Sequence, residues 1–142
     1  MSHPLQEYIG FRILQIHRVH RNRAEVALNK LGLYTGQEML LFRLWREEGL
    51  TQSELVNVLG VDPSTVTKTL QRLEQGGLVE RRQDAEDARV SRVYLTPKGR
   101  ALEAPVRKIW DDLEALTVQG LSEVELALLR RLLDQIQHNL SK

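Results

Sequence analysis

Apolar residues in this chain recur at intervals of three and four, and the runs are separated by glycines and by the hydroxyl or carboxylate residues that start helices. From about Leu5 to Leu31, the positions Ile9, Ile13, Ile16, His20, Ala24, Ala27 and Leu31 trace one helical face, which predicts a long helix ended by Gly32. Thr35 with Glu38 reads as a capping box opening a second helix with Met39, Leu40, Leu41, Phe42, Leu44 and Trp45, stopped at Gly49. Thr51 with Glu54 repeats the box ahead of a short third helix, with Leu55, Val58 and Leu59 inward and Gly60 closing it. A fourth helix follows at once: Asp62 is a good N-cap residue, and Pro63 suits the first helical position because it has no N–H to lose there.

Beyond Gly76-Gly77, which suits a left-handed helix end, Leu78–Arg82 and Ser91–Leu95 read as two strands joined by the polar, acid-rich stretch 83–90. Thr96-Pro97 starts another helix through Leu102, Val106, Ile109, Trp110, Leu113 and Leu116. Pro105 lies inside it and removes the bond to the Ala101 carbonyl, so a kink or break is expected there. Gly120 ends that helix, and Ser122 with Glu125 opens a last one carrying Val124, Leu128, Leu129, Leu132, Leu133, Ile136 and Leu140. The pattern predicts a mainly α fold with a small β-hairpin.

Helix, tight turn at Gly60-Val61, and a second helix with a polar outer face is the arrangement of a helix-turn-helix, and a hairpin beside it is a wing. In the fourth helix Val66, Leu70 and Leu73 share the inner face. Ser64, Lys68 and Gln71 point roughly the other way, with Thr65, Thr67 and Arg72 on the shoulders. Small hydroxyls near a helix N-terminus, with amide and basic side chains behind them, suit phosphates and base edges in a DNA major groove. A solvated helix face has the same residue types; the wing and the preceding helix favour DNA. Residues 34–99 would then form the reading region, flanked by helices in 1–33 and 100–142. The flanking helices carry wider apolar stripes than the winged core can cover, and soluble monomers rarely expose such patches. A two-fold homodimer through these regions is expected, presenting two reading helices to an inverted-repeat site. Packing of the two ends on each other within one chain is the alternative.

Composition narrows this picture. A chain of 142 residues is the size of one domain, and 20 Lys and Arg against 19 Asp and Glu leave no global field to draw in nucleic acid. Between Asp62 and Arg100 the bases Lys68, Arg72, Arg81, Arg82, Arg89, Arg92, Lys98 and Arg100 number eight, against the six acids Asp62, Glu74, Glu80, Asp84, Glu86 and Asp87, a local excess of two. Specific contacts, rather than a strong general field, must therefore hold DNA. The absence of cysteine excludes disulfides and thiol chemistry and fits a reducing cytoplasm. No apolar run approaches the about 20 residues of a membrane helix. No nucleophile elbow, phosphate-cradling glycine loop or histidine–carboxylate spacing suggests catalysis, and no cofactor motif is found.

The chain resembles MarR-type winged helix-turn-helix transcriptional regulators over nearly its whole length. The likeness is carried by Leu50-Thr51-Gln52-Ser53-Glu54-Leu55, Val61-Asp62-Pro63-Ser64-Thr65-Val66-Thr67-Lys68, Leu73-Glu74-Gln75-Gly76-Gly77-Leu78-Val79 and Leu95-Thr96-Pro97-Lys98-Gly99, in order and spacing. The segment Asp84-Ala85-Glu86-Asp87-Ala88-Arg89 resembles the family's wing signature. By that resemblance Arg89 enters the minor groove and Asp87 braces the wing through an ion pair. Ala88 stands where many members carry a base, and Ala85 where a proline is common, which implies weaker wing affinity and a less rigid wing turn.

The resemblance also implies a regulator, with repression in the family's manner and release by a small aromatic or anionic effector bound between the dimerisation helices and the winged domain as expectations. His17, His20, Arg21 and Trp45 are the residues placed to contact such an effector, and Pro105 the hinge that would respond. His17 and His20 could equally lie at the edge of a packed face, and a metal site would need further ligands such as His3 or His138, so no metal is expected. A winged helix used as a protein-interaction module, without DNA specificity of its own, is the competing function.

Overall fold

The structure is a computed structural model in which residues 4–142 are described. A single 3₁₀ turn, Pro4–Glu7, precedes helix α1 (Ile9–Asn29), so the long first helix starts later than the apolar spacing suggested. Gly32 follows it with φ +78°. The second helix, α2 (Gln37–Arg46), is not capped by Thr35. Gly36 takes the N-cap with φ +102°, which only glycine adopts cheaply, and this moves the start by one residue. Glu38 turns back to accept the Gly36 N–H at 2.9 Å, Gln37 Oε1 accepts the Tyr34 N–H at 3.0 Å, and the Thr35 hydroxyl is buried without a partner among the described residues.

Strand β1 (Leu50–Thr51) and helix α3 (Gln52–Leu59) come next, with Thr51 Oγ1 accepting the Glu54 N–H at 3.1 Å. Gly60, at φ +64°, turns the chain into α4 (Pro63–Gln75). This helix closes with a Schellman pattern: Gly77 is left-handed at φ +72°, its N–H reaches the Glu74 carbonyl, and the Leu78 N–H reaches Leu73. Leu73 and Leu78, both buried, make the apolar pair that accompanies this ending.

Strands β2 (Val79–Gln83) and β3 (Ser91–Leu95) form the hairpin, one residue later on the first strand than the sequence suggested. The sheet has three strands rather than two, in the order β1-β3-β2 and antiparallel throughout, because Leu50 pairs with Val93 and Thr51 with Arg92. Helix α5 (Pro97–Ala101) is capped by Thr96, whose hydroxyl accepts the Gly99 N–H at 3.1 Å and donates to the Gly77 carbonyl at 2.6 Å. The expected break falls at Leu102, before α6 (Glu103–Thr117), and not at Pro105. Pro105 sits in the first turn of α6, where no intrahelical bond is lost, and the interruption appears at the Ala101 carbonyl it cannot serve. Last comes α7 (Glu123–Leu140), whose Ser122–Glu125 capping box is complete.

Two compact units result, Met1–Trp110 and Asp111–Lys142. Their boundary lies inside α6. In the first unit the core is built by Ala24 and Leu28 of α1, Leu33, the Leu40, Leu41 and Leu44 stripe of α2, Leu55, the inner face of α4, and Val93, Leu95 and Val106. Val58, expected inward, is exposed, as is Met39. The apolar stripes of α1 and α7 are not covered: Ile9, Leu14 and Ile16 are each about 60% exposed, and α7 has no buried residue. No helix among the described residues is long and apolar enough to cross a membrane.

Candidate nucleic-acid interface

The amphipathic division of α4 sets up the site. Val66, Leu70 and Leu73 are buried, which fixes the helix against the core and turns Ser64, Thr65, Lys68, Gln71 and Arg72 to the surface. The N-terminus is organised differently from the sequence reading. Asp62 holds the N-cap position, but its carboxylate accepts the Ser64 hydroxyl rather than a backbone N–H. Its main-chain carbonyl accepts from Thr65 and Val66.

Thr67 is half-buried and already committed. Its hydroxyl donates to the Pro63 carbonyl at 3.0 Å and accepts from Gln52 Nε2 at 2.6 Å, so it locks α4 to α3. Gln52 Oε1 in turn accepts from Arg81 of β2 at 3.2 Å, and Arg81 Nε donates to Glu74 at 2.7 Å. One chain of hydrogen bonds thereby joins α3, α4 and the wing strand. The sequence reading passed over Gln52 and Arg81 because neither spacing nor periodicity distinguishes such a brace from ordinary surface polarity.

The wing has a similar internal frame. Asp84 accepts Arg92 Nε at 2.8 Å on one oxygen and the Glu86 and Asp87 N–H groups at 3.2 and 3.1 Å on the other. Arg92 also donates to the Gly49 carbonyl at 2.9 Å, tying the wing stem to the start of β1. Asp87 accepts from Arg89 three times, from its backbone N–H at 3.0 Å and from its guanidinium at 3.1 and 3.3 Å. The guanidinium is 90% exposed. The Arg92 side chain, followed by the loop N–H groups, holds the Asp84 carboxyl below its ordinary range, and Arg89 does the same for Asp87. Both wing carboxyls are ionised at neutral pH, and Asp84 with Arg92 is the stem brace that the sequence reading did not assign.

Pairing also sorts the bases. Arg81, Arg82, Arg92 and Arg100 are each in an ion pair, with Glu74, Glu80, Asp84 and Glu48 respectively, and Arg82 lies 4.4 Å from the Tyr94 ring centre. Glu80 raises the Arg82 pKa further. Among the described residues Lys68 and Arg72 make no ion pair, and Arg89, although paired with Asp87, keeps its side chain 90% exposed.

The residues considered for an effector are not gathered in one place. His17 and Arg21 line an open groove along α1 with Phe11, Leu14 and Arg18. His20 packs on Trp110 with ring centres 5.6 Å apart. Trp45 is engaged by the fold itself: its indole N–H donates to the Gly99 carbonyl at 2.9 Å and its ring meets Phe42 edge-on at 5.3 Å. Among the described residues no group of three or more His, Cys, Asp or Glu could hold a metal ion, and His3 lies outside those residues.

A capped α3, a tight turn, an α4 with a polar outer face, and a three-stranded wing framed by Asp84 and Arg92 define a winged helix-turn-helix protein. The chain belongs to the MarR family of transcriptional regulators, and so is not an enzyme: the MarR family model matches residues 33–91. A crystal structure of MarR is 30% identical, with a TM-score of 0.76 and 98% of each chain covered. The chain is also 38% identical over 100 residues to the HTH-type transcriptional regulator TtmR of Methylorubrum extorquens, a match covering 70% of this chain and spanning about half, 49%, of that protein's length. A mutant MarR from E. coli solved in complex with operator DNA is 28% identical, with a TM-score of 0.83, covering 95% of this chain and 99% of that one.

Proposed function

We propose that this regulator binds double-stranded operator DNA as a homodimer on an inverted repeat, and that it acts as a cytoplasmic repressor released by a small aromatic or anionic effector. The observation that carries the DNA reading is the exposed face of α4, where Lys68 and Arg72 make no ion pair among the described residues, beside a wing whose tip presents Arg89. Ser64, Thr65, Lys68 and Gln71 meet base edges and phosphates in the major groove, Arg72 meets phosphate, and Arg89 enters the minor groove. Thr67 and Asp87 act by positioning: one fixes the helix and the other aims the arginine. The operator complex of the E. coli relative supports this assignment.

The uncovered apolar residues of α1 and of α7 support the dimer, with residues 1–33 and 100–142 supplying its surface and 34–99 reading the DNA. The interruption at Leu102, between α5 and α6, supplies the hinge for an effector response, and the α1 groove with His17 and Arg21 supplies a place for the effector. Fluorescence anisotropy with the DNA upstream of the chain's own coding region tests the reading. Sequence-selective binding that weakens steeply with salt supports it, and no binding even at low salt supports the protein-interaction module instead.

A further inference from the structure

Gln52 opens α3 and touches both the reading helix and the wing strand. Its Nε2 donates to the Thr67 hydroxyl at 2.6 Å, and its Oε1 accepts from Arg81 Nη1 at 3.2 Å. Chemistry fixes this orientation of the amide. The Thr67 hydroxyl gives its single proton to the Pro63 carbonyl at 3.0 Å, so it faces Gln52 as an acceptor, and a guanidinium can only donate. The link therefore needs a side chain with a donor on one side and an acceptor on the other, at the length of glutamine. Glutamate meets Thr67 with a second acceptor, and methionine, of similar length, offers no donor and only a weak acceptor.

Arg81 is gripped twice. Its Nε donates to Glu74 at 2.7 Å while Nη1 goes to Gln52, and Thr67 and Glu74 stand seven residues apart on α4. Seven residues are about two turns, roughly 10 Å along the helix axis. Strand β2 is thus tied to α4 at two levels, directly at Glu74 and through Gln52 at Thr67. A single tie would let the strand swivel on its contact; two ties fix an angle. Strand β2 pairs with β3 from Val79 opposite Leu95 to Gln83 opposite Ser91, so that angle is carried out to the wing tip and Arg89.

We propose that Gln52 is a positioning residue that sets the angle between α4 and the wing, so that the major-groove contacts of α4 and the minor-groove contact of Arg89 form together. The proposal rests on the DNA reading above. Val66, Leu70 and Leu73 seat α4 on the core independently of Gln52. Loss of the Gln52 link therefore leaves α4 in place and frees the wing to swing about the Glu74 contact. Part of the free energy of the Arg89 contact then goes into ordering the wing, so the contact is worth less. Lys68, on the seated helix, keeps its full effect.

The chain contains no cysteine, so spin labels can be placed at Gln75→Cys, at the end of α4, and Ala85→Cys, in the wing loop, both exposed positions. With the labelled chain diluted in excess unlabelled chain and no DNA present, pulsed electron resonance is expected to give one narrow distance distribution, and Gln52→Met to broaden it. Thr67→Val breaks the same bond from the other side and should broaden it likewise, with the double variant no broader than either alone. Anisotropy titrations at fixed salt give the second readout. Arg89→Ala should weaken DNA binding about fivefold or more in the wild type, and this penalty should shrink by about threefold in Gln52→Met and in Thr67→Val. The Lys68→Ala penalty should stay within about twofold across all three backgrounds, which a general loss of structure would not allow. Unchanged label distances, or an Arg89→Ala penalty as large in Thr67→Val as in the wild type, would overturn the proposal even if Gln52→Met does not fold. A wild type that binds no DNA removes the proposed function, and the label distances alone then decide whether Gln52 sets the wing angle.

Discussion

Gly99 is the position where the smallest change should do the most damage. It is buried at the start of α5, and a methyl group built on it would sit on the Leu78 carbonyl oxygen, with the Leu78 carbonyl carbon at 3.1 Å and Leu95 Cδ2 at 3.3 Å. The obstacle is mostly backbone, which cannot rotate aside as a side chain can. The Leu78 carbonyl is also held from the other direction, since it accepts the Thr96 N–H at 3.0 Å, and the Gly99 carbonyl accepts the Trp45 indole at 2.9 Å. Forcing α5 away from the sheet adds an overpacking cost of about 1 to 3 kcal/mol and weakens two hydrogen bonds worth about 1 kcal/mol each. Gly99→Ala is therefore expected to lose about 3 to 5 kcal/mol. With a urea slope of about 2 kcal/mol/M, the unfolding midpoint should fall by about 2 M. The comparison should be made at one fixed protein concentration, because the stability of the proposed dimer would depend on it. A midpoint within about 0.5 M of the wild type would show that α5 can move off Leu78 freely, and would refute the reasoning.

Other expectations concern the wing and the buried acid. Arg89→Ala should cost about 1 to 3 kcal/mol of DNA affinity with little change in melting temperature, and an unaltered gel-shift titration at fixed salt would reject its contact with DNA. Asp84→Asn should disorder the wing stem, seen as faster amide exchange at Glu86 and Asp87, because it breaks the Arg92 pair that frames the loop. The same frame should loosen with acid: a carboxyl held below its unfolded value contributes stability above about pH 4, and loses it as pH falls through the lower folded value. Glu38 has the opposite sign, since burial pushes its carboxyl up against the lowering effects of the N–H groups of Glu38 and Gly36 and the Arg21 charge. Its contribution is full below the unfolded value and is lost as pH rises through the folded one, so Glu38→Gln should raise stability at pH 7 and flatten the pH dependence above about 4.5. A Glu38→Gln chain less stable than wild type at pH 7 would contradict that.

The helices, the turn at Gly60 and the hairpin were legible in the sequence because each rests on local chemistry: a cap, a glycine, or apolar residues at fixed intervals. Strand β1 was not, since two residues are too few to show a period and its partner Val93 lies more than forty residues away. The start of α2 was misplaced because Thr35 and Gly36 both suit an N-cap, and the bonds from Gly36 to Glu38 and from Tyr34 to Gln37 decide between them. The candidate face of α4 could be named residue by residue from its pattern. What the pattern could not reveal is which of those groups are already engaged, as Thr67 is with Gln52 and Pro63, and which bases are paired within the chain. Such pairings join residues far apart in the sequence, and only the fold brings Arg92 to Gly49 or Trp45 to Gly99.

The most direct test of the central claim is an anisotropy titration of an inverted-repeat operator, selected from genomic fragments, repeated across salt concentrations with wild type, Lys68→Ala and Arg72→Ala. The account predicts tight binding to the operator and weaker binding to scrambled DNA. Both substitutions should weaken binding, and loss of the Arg72 phosphate contact should lower the salt slope by about one. Equal affinity for operator and scrambled DNA, or substitutions on α4 that leave affinity and slope unchanged, would contradict it.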